Sequence, residues 1–125
     1  MIEIKKVEDI DLAKKICIEN DIDWSDDNHI IATVDNQTVL HCAVFGYENE
    51  IGHIYAIDGF DGDILMLDGM CRAILNIMDI HGVREVYMSN KYRRIAEYVG
   101  FKTMENGEFY LELTGFFKCG CCKGQ

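Results

Sequence analysis

The sequence predicts a mixed α/β fold, and three observations lead there. Three short runs of alternating polarity follow one another between His29 and Asp58, the pattern of an antiparallel meander. A long amphipathic run from about Asp63 to His81 then separates the third of these from another strand-like run, REVYM at 84–88. A strand–helix–strand unit of that size implies a right-handed crossover and parallel pairing. Near the end, Asn106-Gly107 sits between two further runs and is a strong two-residue hairpin signal.

The elements follow in order. IEIKKV (2–7) alternates loosely and carries no helix signal, so it reads as a first strand. Asp9 or Asp11 is placed to cap a helix that runs to about Asn20, with Ile10, Ala13, Ile16 and Cys17 on its apolar face. An acidic stretch from Glu19 to Asp27 follows, with the single tryptophan, Trp24, either packing as a core anchor or lying as a lid over a site. HIIATV (29–34), TVLHCAVFG (38–46) and IGHIYAID (51–58) form the meander, joined by Asp35-Asn36 and by the polar turn at 47–50. On the third strand, His53 and Tyr55 share one face and Ile54 and Ala56 the other. In the long helix, Ile64, Leu67, Cys71, Ile74, Leu75 and Met78 keep helical spacing, and Asp68 with Arg72 forms an i, i+4 pair on the wet side. Gly82 suits its C-terminus. Asn90 is placed to cap a short helix, KYRRIAEYV, which Gly100 closes, and KTM (102–104) with EFYLELTGF (108–116) forms the last hairpin. The order is β-α-β-β-β-α-β-α-β-β.

Length and charge narrow the function. The 125 residues suffice for one domain. The net charge of −10 disfavours duplex nucleic acid and anionic membrane, since both are polyanions. No apolar run is long enough to span a bilayer. The opening MIEIKKVEDIDLAKK is charged where a secretory signal would be apolar, so a cytoplasmic chain is expected. Residues 1–70 hold 16 acids and four bases, whereas residues 71–125 hold six acids and eight bases. The acidic half suits a cationic partner.

Within this order, the segment SNKYRRIAEYVGF (89–101) carries a specific resemblance. An Asn at a strand end, a short helix, a closing Gly-Phe and a following hairpin resemble the GNAT N-acyltransferase family, over residues 1–116. The resemblance implies a GNAT-like mixed sheet and transfer of an acyl group from acetyl-CoA or another acyl-CoA to a small-molecule or peptide amine. It implies that strand backbone after Ile57 holds the pantetheine arm, with Asp58 and Gly62 in the phosphate-loop region and Asn90, Arg93 and Arg94 near the cofactor. His53 and Tyr55 would supply acid–base chemistry to a bound amine; the bland alternative packs both under a helix.

Two places depart from the family. Its phosphate loop runs from a Gln or Arg through two closely spaced small residues, and its backbone N–H groups cradle a pyrophosphate. Here the corresponding stretch reads DGDILML (61–67), with Asp58, Asp61 and Asp63 where phosphates would come. The position of the family's frequent acid, a Tyr on the short helix, is Ala96, and Tyr98 lies roughly 200° further round. Lys91, Arg93 and Arg94, with Arg84 on the strand before, supply positive charge that an anionic ligand could use or that could form a solvated face.

The tail beyond residue 116 reads as a separate piece. Cys119, Cys121 and Cys122 place three thiols within four residues, flanked by Lys118 and Lys123. Such a set suits a soft metal, with a fourth ligand from elsewhere, or thiol redox chemistry; a frayed reduced tail is the plain alternative. Cys17, Cys42 and Cys71 sit among apolar neighbours and read as core thiols. Two competing readings remain: a binding or sensing module that uses the tail thiols, and a homodimer joined through the last strand.

Overall fold

The computed structural model describes residues 2–25, 28–36, 38–59 and 64–116. The elements are β1 (Ile2–Lys6), α1 (Ile10–Glu19), β2 (His29–Asp35), β3 (Thr38–Glu48), β4 (Ile51–Gly59), α2 (Ile64–Ile80), β5 (Glu85–Met88), a 3-10 turn (Asn90–Tyr92), α3 (Arg93–Val99), β6 (Lys102–Thr103) and β7 (Phe109–Glu112). This is the order the sequence predicts. The strands form one seven-stranded sheet ordered β1-β2-β3-β4-β5-β7-β6. Only β4 and β5 run parallel, joined by the α2 crossover; every other pair is antiparallel.

Local chemistry sets the element ends. The Asp9 carboxylate accepts from the N–H groups of Asp11 at 3.0 Å and Leu12 at 3.3 Å, so Asp9, not Asp11, caps α1. Gly100 closes α3 at φ 115°. The last hairpin reverses through a three-residue loop, Glu105-Asn106-Gly107, in which the Gly107 N–H donates to the Met104 carbonyl at 3.0 Å and Gly107 stands at φ 89°, rather than through a two-residue Asn-Gly turn. Three further local expectations change. Ser89, not Asn90, caps the 3-10 turn, its Oγ accepting from the Lys91 N–H at 3.2 Å. The hairpin after β3 is tighter than a four-residue turn, with β3 running to Glu48 and the reversal made by Asn49 at φ 57°. Ile10 stands exposed because the α1 stripe meets the sheet only from Ala13 onward.

The helices divide the sheet into two faces. On one, Ala13, Ile16 and Cys17 of α1 pack on Ile30, Val44 and Ala56, with Trp24 partly buried against them as an anchor. On the other, α2 and α3 cover the larger core, built from Leu67, Met70, Ile74, Leu75 and Met78 against Phe45, Ile54, Val86, Met88 and Phe109. Each such side chain contributes roughly 1.5–3 kcal/mol on burial. Asp68 and Arg72 pair at 3.0 Å on the wet side of α2, as their spacing predicts.

Gly52 sets how closely α2 approaches β4. A Cβ there would meet the Met78 Sδ at 2.7 Å and the Val83 Cγ1 at 3.3 Å. Met78 is fully buried, so its thioether end has little room to swing away. Gly52→Ala is expected to cost roughly 1–3 kcal/mol, read as a lower urea midpoint with an unchanged slope.

Candidate functional site

The site grows from a fork in the sheet. The β3–β4 register steps from Val44↔Ala56 to Phe45↔Ile54, so Tyr55 is the extra residue of a β-bulge on β4. A bulge bends its strand and increases the local twist. Beyond that point β4 also loses its other neighbour. It pairs with β5 only from Ile51↔Glu85 to Ile54↔Met88, and β5 ends there. β4 continues to Gly59, and among the described residues no strand pairs with 55–59 on the β5 side. A row of backbone N–H and C=O groups thus faces a gap at the C-terminal ends of two parallel strands, where open α/β sheets bind ligands.

The far wall of the gap is held by hydrogen bonds. The Asn90 N–H donates to the Glu108 carboxylate at 2.8 Å, and the Glu108 N–H donates to the Asn106 Oδ1 at 2.9 Å. These tie the β6–β7 turn to the end of β5. The resulting cavity, about 350 Å³, is lined by His53, Ile54, Tyr55, Tyr87, Met88 and Glu108 among others. A second, of about 740 Å³, lies toward the β3–β4 turn and is lined by Glu48, Glu50 and Ile51, and again by His53 and Tyr55. His53 and Tyr55 therefore stand where the two cavities meet.

Both residues are exposed, and Tyr55 is 44% so, which sets aside packing under a helix. Their rings stack at 5.7 Å and 12°, and the His53 ring also meets the Tyr87 ring at 5.7 Å. The Ile57 side chain is buried in the main core, so only its backbone faces the gap. Asp58 pairs with Cys42 along β3. Gly62, with Asp61 and Asp63, lies outside the described residues, as do Cys119, Cys121 and Cys122. Among the described residues no group of three or more His, Cys, Asp or Glu side chains is arranged to hold a metal ion.

The basic cluster is less uniform than its spacing suggests. The Arg93 guanidinium pairs with Glu97 at 3.4 Å and lies 5.1 Å above the Phe109 ring. The Lys91 ammonium lies 5.7 Å from the Tyr92 ring centroid, and Arg94 is exposed on α3. Arg84 does not join them. It binds Asp79 of α2 at 3.1 Å, at the opposite end of β5. Ala96 is fully buried in the core, so no phenol occupies that position; Tyr98 is half exposed.

Tyr87, Tyr110, Glu108 and Ser89 were not singled out from sequence. Their alternation was visible, but which face they share with His53 depends on pairing across β4, β5 and β7. Loss of solvation raises the Tyr87 phenol above its usual range, helped by the Glu85 carboxylate, which accepts its hydrogen bond at 3.4 Å, and by Tyr110. The rise makes Tyr87 a weaker acid than an ordinary phenol, and its proton is directed at Glu85.

The three described thiols pack among apolar side chains, Cys17 and Cys71 completely and Cys42 in part. Burial pushes the Cys71 thiol up to about 12, with the Asp68 carboxylate adding to the rise and Arg72 opposing it. Burial also raises Cys17, against a hydrogen bond from Asn28. A raised thiol holds less thiolate, the reactive form. Iodoacetamide on native protein at pH 8 is expected to label Cys71 and Cys17 only after unfolding, read by peptide mass spectrometry.

No family model matches this chain, and no curated protein matches it by sequence. Solved structures do match. An acetyltransferase of the GNAT family from Staphylococcus aureus Mu50 superimposes with a TM-score of 0.68 at 10% identity, over 90% of this chain and 99% of that one. The chain has the GNAT acetyltransferase fold. The ribosomal-protein-S18-alanine N-acetyltransferase of Escherichia coli matches with a TM-score of 0.67 at 11% identity, over 90% of this chain and 94% of its own. YhhK of E. coli, classed provisionally as an N-acetyl transferase and solved with coenzyme A bound, matches at 0.66 and 18% identity, over 90% and 98%. Among the described residues no helix is long and apolar enough to cross a membrane.

Proposed function

We propose that the fork between β4 and β5 receives the acyl-bearing arm of acyl-coenzyme A and that the chain transfers the acyl group to a primary amine. The observation that carries this reading is the unpaired edge of residues 55–59 beside the cavity at His53 and Tyr55. An edge of free backbone donors and acceptors fits an extended chain that itself contains amides. Lys91, which follows Asn90 of the gap's far wall, and the exposed Arg94 of α3 would supply charge for phosphates. One similar structure holds coenzyme A and another acts on the alanine of a ribosomal protein, in keeping with both substrates.

The chain's residues have separable tasks. The backbone edge orients the arm, and the acidic cavity with Glu48 and Glu50 draws in the amine as a cation. His53 takes the first proton from the ammonium and passes it to water, which frees the nitrogen lone pair to bond to the thioester carbonyl carbon. The carbon–sulfur bond breaks, a phenol, Tyr55 or Tyr87, or water protonates the leaving thiolate, and the second proton, given up by the new amide nitrogen, restores that donor. Titration calorimetry with acetyl-CoA tests the first task. Heat saturating at submillimolar ligand supports the reading, and its absence removes it. Ala96 favours a second reading, in which the fork binds acyl-CoA without turnover; thiol release separates the two.

A further inference from the structure

Among the described residues, part of one sheet face is left uncovered. The α1 cluster reaches β4 only at Ala56, and α2 and α3 lie on the other side. Past β4 the first face therefore presents side chains that no helix covers among the described residues. They fall into two rows that run across the strands. The register places His53, Tyr87 and Tyr110 side by side, with ring centroids 5.7 Å and 6.5 Å apart. Two residues along each strand, roughly 6.5 Å away, the same register lines up Glu48, Ile51, Glu85 and Glu112.

The second row is unusual in its charge. Glu85 and Glu112 are direct cross-strand partners, and like charges so placed destabilise a sheet. None of the three carboxylates pairs with a Lys, Arg or His among the described residues. Ile51, 43% exposed, separates Glu48 from Glu85. Strand spacing makes the row about 14 Å long from β3 to β7. The aromatic row alongside offers ring faces, which attract cations. It ends on Lys102, the partner of Tyr110 on β6, whose charge bounds the surface on that side.

We propose that this face docks a linear oligoamine, its ammonium groups on the Glu row, its methylenes on Ile51 and the tyrosines, and one terminal nitrogen reaching His53. Alternating charge and hydrocarbon along the ligand matches charge and hydrocarbon along the row. A monoamine would engage one carboxylate and forgo the rest. Only the role of the terminal nitrogen rests on the acyl-transfer reading.

The test is calorimetric titration of the full chain with spermidine at low salt, without acyl-CoA, beside n-butylamine and decalysine. Spermidine is expected to bind at least about tenfold more tightly than n-butylamine, and Glu85→Gln/Glu112→Gln to weaken it by about tenfold or more. Because that variant removes a repulsive pair, its melting temperature is expected to equal or exceed that of the wild type, and Glu48→Gln gives an independent second loss. Undetectable spermidine binding, or binding unchanged in these variants, overturns the proposal. Decalysine binding more tightly than spermidine, with loss in the same variants, overturns it in favour of a polypeptide, and a dimer that spermidine dissociates overturns it in favour of a second copy. Variant-sensitive spermidine binding without thiol release from acetyl-CoA keeps the docking face and fails acyl transfer. Thiol release with n-butylamine as fast as with spermidine, and unaffected in Glu85→Gln/Glu112→Gln, does the reverse.

Discussion

Replacing His53 with Asn is expected to lower kcat for thiol release from acetyl-CoA by about 10²–10⁴-fold while leaving acetyl-CoA affinity nearly unchanged. Asn keeps much of the side chain's size and its hydrogen bonding but cannot accept the amine's proton. The arm of acyl-CoA would lie on the backbone edge of residues 55–59 rather than on His53, so binding and chemistry separate. The exposed position of His53 makes the variant safe for folding. Stopped or steady-state thiol release, with calorimetry for affinity, reads both quantities. An unchanged kcat would remove His53 from the chemistry and leave the phenols of Tyr55 and Tyr87, which stack or pack beside it, as the groups to examine.

Phe109→Ala is expected to be the most damaging of these substitutions for stability. The ring is completely buried between the sheet and the helices, and the Arg93 guanidinium sits over it. Truncation of a buried Phe costs roughly 3–5 kcal/mol, equivalent to a fall of about 10–20 °C in Tm for a domain of this size. The effect should reach the site. Phe109 pairs with Met88 at the end of β5, next to Glu108, whose carboxylate holds the Asn90 N–H. Calorimetric melting measures the loss; a drop of only a few degrees would mean that the core collapses readily around the missing ring.

Much of the fold could be read from local chemistry. Alternation, helical spacing, Asp9, Gly100 and Asn106-Gly107 each act over a few residues, so the order of elements follows from the chain directly. The parallel pair followed from the length of the crossover. The placement of β7 between β5 and β6 did not, because that depends on which distant strands bury each other's side chains. The site divides along the same line. His53 and Tyr55 share a face because they are two residues apart on one strand. Their neighbours Tyr87 and Tyr110 come from other strands, and only the register brings the rings together. The bulge at Tyr55 left a faint trace, the adjacent buried pair Ala56 and Ile57, whose side chains go to opposite faces of the sheet. Asn90 and Ser89 are adjacent polar residues either of which can cap, and the geometry of the turn after β5 decided for Ser89.

At the fork, the acyl-CoA arm is proposed to complete the edge of β4. Backbone-resolved NMR of the full chain, with and without saturating acetyl-CoA, tests it most directly. Amide signals within residues 55–59 are expected to shift and exchange more slowly with solvent, together with those of Ser89 to Lys91, while β1 and β2 stay unchanged. Saturable binding that leaves residues 55–59 unaffected would contradict it.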